Sequence, residues 1–389
     1  MYKKIILSLV TISTLSISGN LKMPDILKPN ETHQNTNLHS IFKRTGPTIQ
    51  IGILLDTSGS MNGLIDQARD QIWKIVNEVS KANKNNQDVT IQVGLFEYGK
   101  DDIPQYEGYV RMLSPLTSNL DKVSEQLFKL YTNGGEEYAG KVILESVNRF
   151  AWSDNKDDLK ILIIAGNEPF TQGNVPYQEA IKKAKDNNIV VNTIFCGNRQ
   201  DGINTKWAEG AYLGNGKYFN INHNDKRQYI QTPYDDRIII LGNKLNVTYV
   251  QYGNSSVRKE LKENTAKQDK NSLGFSKSSY IERNLMKSKK QFAPAASDMV
   301  SSFIADEKSI DKIQEQELPS ELQGKNKKEI KQYIKLKKEE REKIQKEIND
   351  LEKKREKFLS SQKTNKNDLG TAIIKTIRTQ AENNGFKFK

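Results

Sequence analysis

Cysteine is all but missing from this 389-residue chain. Cys196 is the only one, so the fold must hold without an intramolecular disulfide. Its setting, Val190-Val191-Asn192-Thr193-Ile194-Phe195-Cys196, marks it as a small buried hydrophobe and not a nucleophile. Histidine is nearly as scarce. His33, His39 and His223 share no ligand spacing, which argues against zinc. No G-x-x-x-x-G-K-S/T run is present to cradle a nucleotide phosphate. No G-x-S-x-G elbow is present either, because Thr57-Ser58-Gly59-Ser60 sits in the wrong frame. The apolar run at residues 5–17 is too short to span a bilayer. It follows the basic start Met1-Tyr2-Lys3-Lys4 and ends in Ser16 and Ser18 at cleavage spacing, so residues 1–18 read as a secretory signal. With no cysteine near that segment the chain is not expected to be a lipoprotein. It is expected to be exported, periplasmic or extracellular, with no integral membrane span in the mature chain.

The net charge of +12 is unevenly placed. Residues 1–250 carry 28 Lys and Arg against 27 Asp and Glu, whereas residues 251–389 carry 32 against 21. Basicity confined to one end points to a solvated helical tail and away from a nucleic-acid surface.

Residues 19–45 are polar, hold Pro24 and Pro29, and read as a linker. From there strands and helices alternate. Apolar runs at 48–56, 89–98, 159–165 and 189–196 predict buried strands; 106–116 predicts an edge strand and 217–221 a last one. Helical spacing is present at 65–79, 120–131, 142–150 and 177–187, with a short helix at 206–211. The pattern predicts a doubly wound, mostly parallel α/β sheet over residues 46–224, a three-layer Rossmann-type arrangement. An α-helical C-terminal region follows, divided into an extension at 225–305 and a charged tail at 306–389. Asp235-Asp236 reads as acid placed against a helix N-terminus. In the tail, Ile330, Ile334, Lys337, Arg341, Ile344, Ile348, Leu351, Arg355 and Phe358 recur in steps of four and three, a coiled-coil-like seam with basic interruptions. That seam suggests self-association, or a helical hairpin returning through 369–381.

The most informative stretch is Ile51-Gly52-Ile53-Leu54-Leu55-Asp56-Thr57-Ser58-Gly59-Ser60-Met61. A buried strand ends in a carboxylate and two hydroxyls at alternate positions, at the strand end where open α/β sheets bind ligands. Oxygen donors of this kind suit a hard divalent cation. A second loop, Asn133-Gly134-Gly135-Glu136-Glu137, and a third, Ala165-Gly166-Asn167-Glu168-Pro169-Phe170, lie at the ends of later elements.

With these loops and the strand order together, residues 48–224 resemble a von Willebrand factor type A (VWA) domain, whose D-x-S-x-S pentad forms a metal-ion-dependent adhesion site. The resemblance implies Asp56, Ser58 and Ser60 as ligands of Mg²⁺ or Mn²⁺. It implies a further ligand after Gly134-Gly135, where the family usually has Thr and this chain has Glu136 and Glu137. In the third loop the usual Asp aligns with Gly166, leaving Asn167 and Glu168 as the nearest oxygen donors. Residues 165–173, 192–197 and 232–235 look like an exported bacterial subgroup of this fold with a lysine-rich helical tail. Haloacid dehalogenase-like phosphatases also place Asp at a first-strand end, but need a second Asp where this chain has Ser58.

The resulting expectation is a non-enzymatic, exported binding module. It takes a protein partner's carboxylate at the open position of the cation, with Tyr98, Tyr106, Tyr138, Phe170 and Trp207 as candidates for a contact rim. One alternative is a metal-free scaffold acting through the tail. Another is a cation-dependent hydrolase with Glu137 or Glu168 as general base.

Overall fold

The computed structural model describes residues 46–222, 224, 229–292, 297–362 and 369–388. The expected signal (1–18) and linker (19–45) lie outside the described residues. The first strand, β1 (Thr48–Asp56), is buried along its whole length, as its unbroken apolar run requires. Helix α1 (Asn62–Val79) follows, then a small hairpin, β2 (Ala82–Lys84) and β3 (Gln87–Asp88), which turns through Asn85 and Asn86 at φ +54° and +60°. Asn tolerates that left-handed backbone, which two-residue hairpin turns need. Strands β4 (Thr90–Tyr98) and β5 (Val110–Thr117) precede α2 (Leu120–Lys129) and α3 (Ala139–Arg149). The unit continues with β6 (Leu159–Gly166), α4 (Tyr177–Asp186), β7 (Ile189–Cys196), α5 (Arg199–Asn204), α6 (Trp207–Leu213) and β8 (Asn215–Ile221). The sheet order is β5-β4-β1-β6-β7-β8; only β5 runs antiparallel to its neighbour. Ile49, Ile51 and Ile53 face one helical layer with α1 and α2, while Leu54, Leu162 and Ile164 face the other with α3, α4 and Trp207.

Among the described residues there follow α7 (Asp235–Asn246), α8 (Ser255–Phe275), α9 (Lys277–Lys287), α10 (Met299–Ala305), three short 3-10 turns, α11 (Lys327–Ser360), α12 (Leu369–Asn383) and β9 (Lys387–Phe388). Helix α12 does not pair with α11 as a hairpin. Its Leu369, Ile373, Ile377 and Ala381 belong to the same core as Ile49, Leu64 and Ile72. Beyond it, β9 pairs antiparallel with β2. Gln67 of α1 joins the two ends: its Nε2 donates to the Asn222 carbonyl (2.9 Å) and its Oε1 accepts the Leu369 N–H (3.0 Å). Chain leaving the sheet and chain returning to it therefore meet at one side chain. The segment ending at residue 224 lacks the last helix of its own α/β unit.

Of the intervening helices, α8 and α9 pack on α1 and α2. Trp73 donates to Ser272 (3.2 Å), and fully buried Arg283 lies 4.6 Å from the Trp73 ring while pairing Asp121 (2.5 Å) and Asp269 (2.6 Å). The seam of α11 faces its own chain. Ile330 and Ile334 pack with Val300 and Phe303; Ile344 and Ile348 pack with Leu241 and Leu285. Two of its basic interruptions are buried ion pairs, Arg341 with Asp298 (2.7 Å), and Arg355 with Asp235 (3.0 Å) and Glu282 (2.9 Å); the third, Lys337, pairs Glu340 at the surface (3.1 Å). Asp235 is thus a fully buried acceptor and not a surface charge; Thr232 and Tyr229 donate to it as well. These donors hold its carboxyl below the usual range against the opposing effect of burial.

Ile377 is fully buried between α12 and the sheet layer. Ile377→Ala should destabilise the full chain by about 2–5 kcal/mol in urea unfolding followed by tryptophan fluorescence. A loss below about 0.5 kcal/mol, the range of ordinary surface substitutions, would show that α12 is not part of this core.

Candidate metal centre

Asp56 is the last residue of the central strand β1, and its carboxylate is fully buried. Oδ1 accepts the Ser58 N–H (2.8 Å) as the chain turns toward α1, and the Asn167 N–H from the end of β6 also favours the ionised form. Burial outweighs these donors and pushes the carboxyl up to about 7. Met61, buried at the start of α1, fixes the loop through its N–H to the Ser58 carbonyl (3.0 Å).

The second loop is tied to the first by the Asn133 N–H donating to the Thr57 carbonyl (3.1 Å). Glu137 is buried, and its N–H is held by Gln172 Oε1 (3.2 Å); Glu136 is exposed and accepts from Gln172 Nε2 (3.1 Å). The two acids therefore separate: Glu137 turns inward and Glu136 outward. Burial, then the charges of Asp56 and Glu168, push Glu137 up to about 7.

Two glycines make the close approach possible. Gly99, at φ +83°, follows β4; a Cβ there would stand 2.7 Å from Glu137 Cγ and 3.0 Å from Asp56 Oδ1. Gly166, where the family's Asp was expected, ends β6; a Cβ there would lie 2.4 Å from the Tyr98 hydroxyl and 2.9 Å from Asp56 Oδ2. The third loop instead brings Asn167, whose Nδ2 donates to Ser60 Oγ (3.4 Å). Glu168 is half-buried, and its carbonyl accepts from Trp207 Nε1 (2.7 Å).

Three buried oxygens here make no hydrogen bond of ordinary geometry, Asp56 Oδ2, Ser58 Oγ and Asn167 Oδ1, although the Ser58 hydroxyl and the Asn167 N–H stand close enough to favour the ionised form of Asp56. Such atoms cost stability unless something fills the site. A carboxylate, a hydroxyl and an amide oxygen fit a hard divalent cation, with Ser60 and Glu137 beside them. Among the described residues no group of three His, Cys, Asp or Glu side chains is placed to hold a metal. An ion here would have at most two carboxylates and would rely on hydroxyl and amide oxygens for the rest of its protein ligands.

The expected aromatic rim is largely absent. Tyr98, Phe170 and Trp207 are buried, with Phe170 packed edge-on against Trp207 (4.8 Å) and Tyr177 (5.2 Å). Tyr138 is half-buried against Tyr109, and only Tyr106 is fully open to solvent. Tyr98 ends β4, Phe170 follows β6 and Trp207 opens α6, and all three are drawn into the second core.

A family model described as the von Willebrand factor type A domain matches residues 50–230. This chain carries a VWA domain. Solved structures similar to it include the SpRpn10 VWA domain (17% identity, 45% of this chain, 88% of that one, TM-score 0.33). BatB from Bacteroides thetaiotaomicron is similar at 15% identity (57% of this chain, 99% of that one, TM-score 0.34). Proximal thread matrix protein 1 from the mussel byssus, with a zinc-occupied MIDAS motif, is similar at 12% (45% and 42%, TM-score 0.34). No curated protein matches the chain in sequence.

Sequence reasoning missed Gly99 and Gln172. A glycine directly after a buried parallel strand is the signal that would have found Gly99. Behind the site of this VWA domain it also missed Thr57, whose Oγ1 donates to buried Glu97 (3.3 Å), which in turn holds Arg111 (2.6 Å) and Lys100 (3.3 Å).

The raised carboxyls set a pH dependence. The unfolded chain ionises Asp56 near its ordinary 3.8, while the folded one keeps the proton to about 7. In chelator, stability should therefore fall as pH rises from about 4 to 7 and level off above, each group contributing a slope of up to roughly 1.4 kcal/mol per unit. Asp56→Asn should flatten this limb in thermal melts across pH; an unchanged profile would mean that Asp56 is not held protonated.

Proposed function

We propose that the VWA domain binds Mg²⁺ or Mn²⁺ through Asp56, Ser58, Ser60 and Glu137, with Asn167 and Glu168 beside the ion and Glu136 facing outward. The ion then forms part of a binding surface for a protein partner, without catalysis. The single observation that carries the reading is the trio of unpartnered buried oxygens on Asp56, Ser58 and Asn167. A metal-free scaffold would leave that cost uncompensated. Two clefts, of about 340 and 300 Å³, run along β5 and α2, and neither is lined by Asp56, Ser58, Ser60 or Glu137. Ser60 and Glu136 are exposed beside buried Asp56, Ser58 and Glu137, and a protein partner would reach the ion across that edge. The seam of α11 is covered within the chain, so a tail-driven oligomer is not part of the reading. We further propose that the protein acts after export, on the signal-like residues 1–18. Among the described residues no helix is long and apolar enough to cross a membrane.

Calorimetric titration of the full chain with Mn²⁺ tests the site. Wild type should bind one ion, Asp56→Ala none, and Glu137→Gln should bind about ten-fold more weakly or worse, the scale on which ligand-shell changes act. Glu136→Gln should change little, since that side chain faces Gln172. Absence of cation-dependent heat or thermal shift in the wild type would reject the metal reading and return the scaffold to first place.

A further inference from the structure

We infer that the partner of this site is a basic protein segment that gives the ion a neutral oxygen, and not an acidic segment that gives it a carboxylate. The inference rests on the divalent-cation reading above. Asp56 and Glu137 both back onto Gly99, whose missing Cβ would lie 3.0 Å from one side chain and 2.7 Å from the other. Two ionised carboxylates cancel the charge of a divalent ion before any partner arrives. Glu168 stands near enough for its charge to bear on both. Around them the mouth is acidic: Glu136 is exposed, and so is Asp101, whose Oδ2 approaches Gly134 so closely that a Cβ there would lie 2.9 Å away.

The neighbouring cations do not offset this. Lys100 is buried, pairs Glu97 (3.3 Å) and lies 3.5 Å from the Tyr131 ring. Arg111 is held by Glu97 (2.5 Å) and lies 3.7 Å from Asp102. A partner carboxylate would meet a neutralised ion inside a ring of like charge, which disfavours encounter and binding alike. Acidity alone would not make a site. The buried, unpartnered Asp56 Oδ2 and Ser58 Oγ supply the independent sign that something is held there. Tyr106, 85% exposed on the loop after β4, offers an open ring face of the kind that takes Lys or Arg; the Tyr131 ring already carries Lys100. A backbone carbonyl or hydroxyl would complete the ion's shell while flanking Lys or Arg side chains pair with Glu136 and Asp101.

The test uses the full chain in Mg²⁺ and two fluorescent twelve-residue probes, a Lys-Gly-Ser repeat and an Asp-Gly-Ser repeat, read by anisotropy. Mn²⁺ calorimetry is run on the same preparation. The basic probe should bind about ten-fold tighter or more, weaken on adding chelator, and weaken in the Glu136→Gln, Asp101→Asn double variant. Tighter binding of the acidic probe overturns the inference in favour of a partner carboxylate. Basic binding that strengthens on chelation also overturns it, since an ammonium would then be replacing the ion. Binding of neither probe, with Mn²⁺ heat intact, overturns it and leaves the metal reading standing. Loss of Mn²⁺ heat removes the metal reading, and the inference with it.

Discussion

Helix α1 has almost no solvent face of its own, and that constraint organises the molecule. It begins one residue after the Asp56–Ser60 loop, packs on the sheet with Leu64, Ile72 and Val76, and is covered by α12 on one flank and α9 on another. A helix buried in this way must satisfy its polar residues against neighbours. Gln67 meets Asn222 and Leu369, Gln71 takes the Gly370 N–H (2.9 Å), and Asn77 donates to Glu352 (3.0 Å). Each of these bonds fixes a segment more than 100 residues away in sequence. The loop that carries the candidate ligands is therefore attached to a helix with little freedom to shift.

The α/β unit was legible up to β8 because each strand is a continuous apolar run and each helix shows one periodic face. It stopped being legible where neighbours in space are distant in sequence. Nothing in residues 369–383 says that their apolar face belongs to α1 and not to α11. Helix α8 was invisible to periodicity because the residues it buries are Gln268, Asp269 and Ser272, which no apolar pattern registers. On α11 the seam was found, but Arg341 and Arg355 read as interruptions because their partners Asp298, Asp235 and Glu282 lie on other helices. Buried arginines of this kind cost desolvation and are offset only by complete pairing, so each is tolerated just where carboxylates and carbonyls converge.

The candidate site divides in the same way. Asp56, Ser58 and Ser60 lie within one pentad, so local sequence was enough to place them together. Glu137 was separable from Glu136 only through Gln172, which takes the backbone of one and the side chain of the other. The aromatic residues misled because Tyr98 and Phe170 lie at or just after strand ends as rim residues would, yet they and Trp207 of α6 are all taken into the second core.

A buried carboxylate pushed up to about 7, next to a second one in the same state, is a poor local arrangement for stability. Relaxation would need the loops to part, and the molecule opposes this at each boundary. Thr57 is held on Glu97, Asn133 on Thr57, Met61 on Ser58, and α1 between two helical layers. Local rules are broken at the end of β1, the pattern expected when a fold keeps a strained site for a ligand. Where the family usually has a hydroxyl, Glu137 adds a second raised carboxyl to the free protein. If the proposed ion is held there, Glu137 would strengthen its binding and at the same time lower its attraction for an acidic ligand, with Gly99 providing the space that lets the side chain reach.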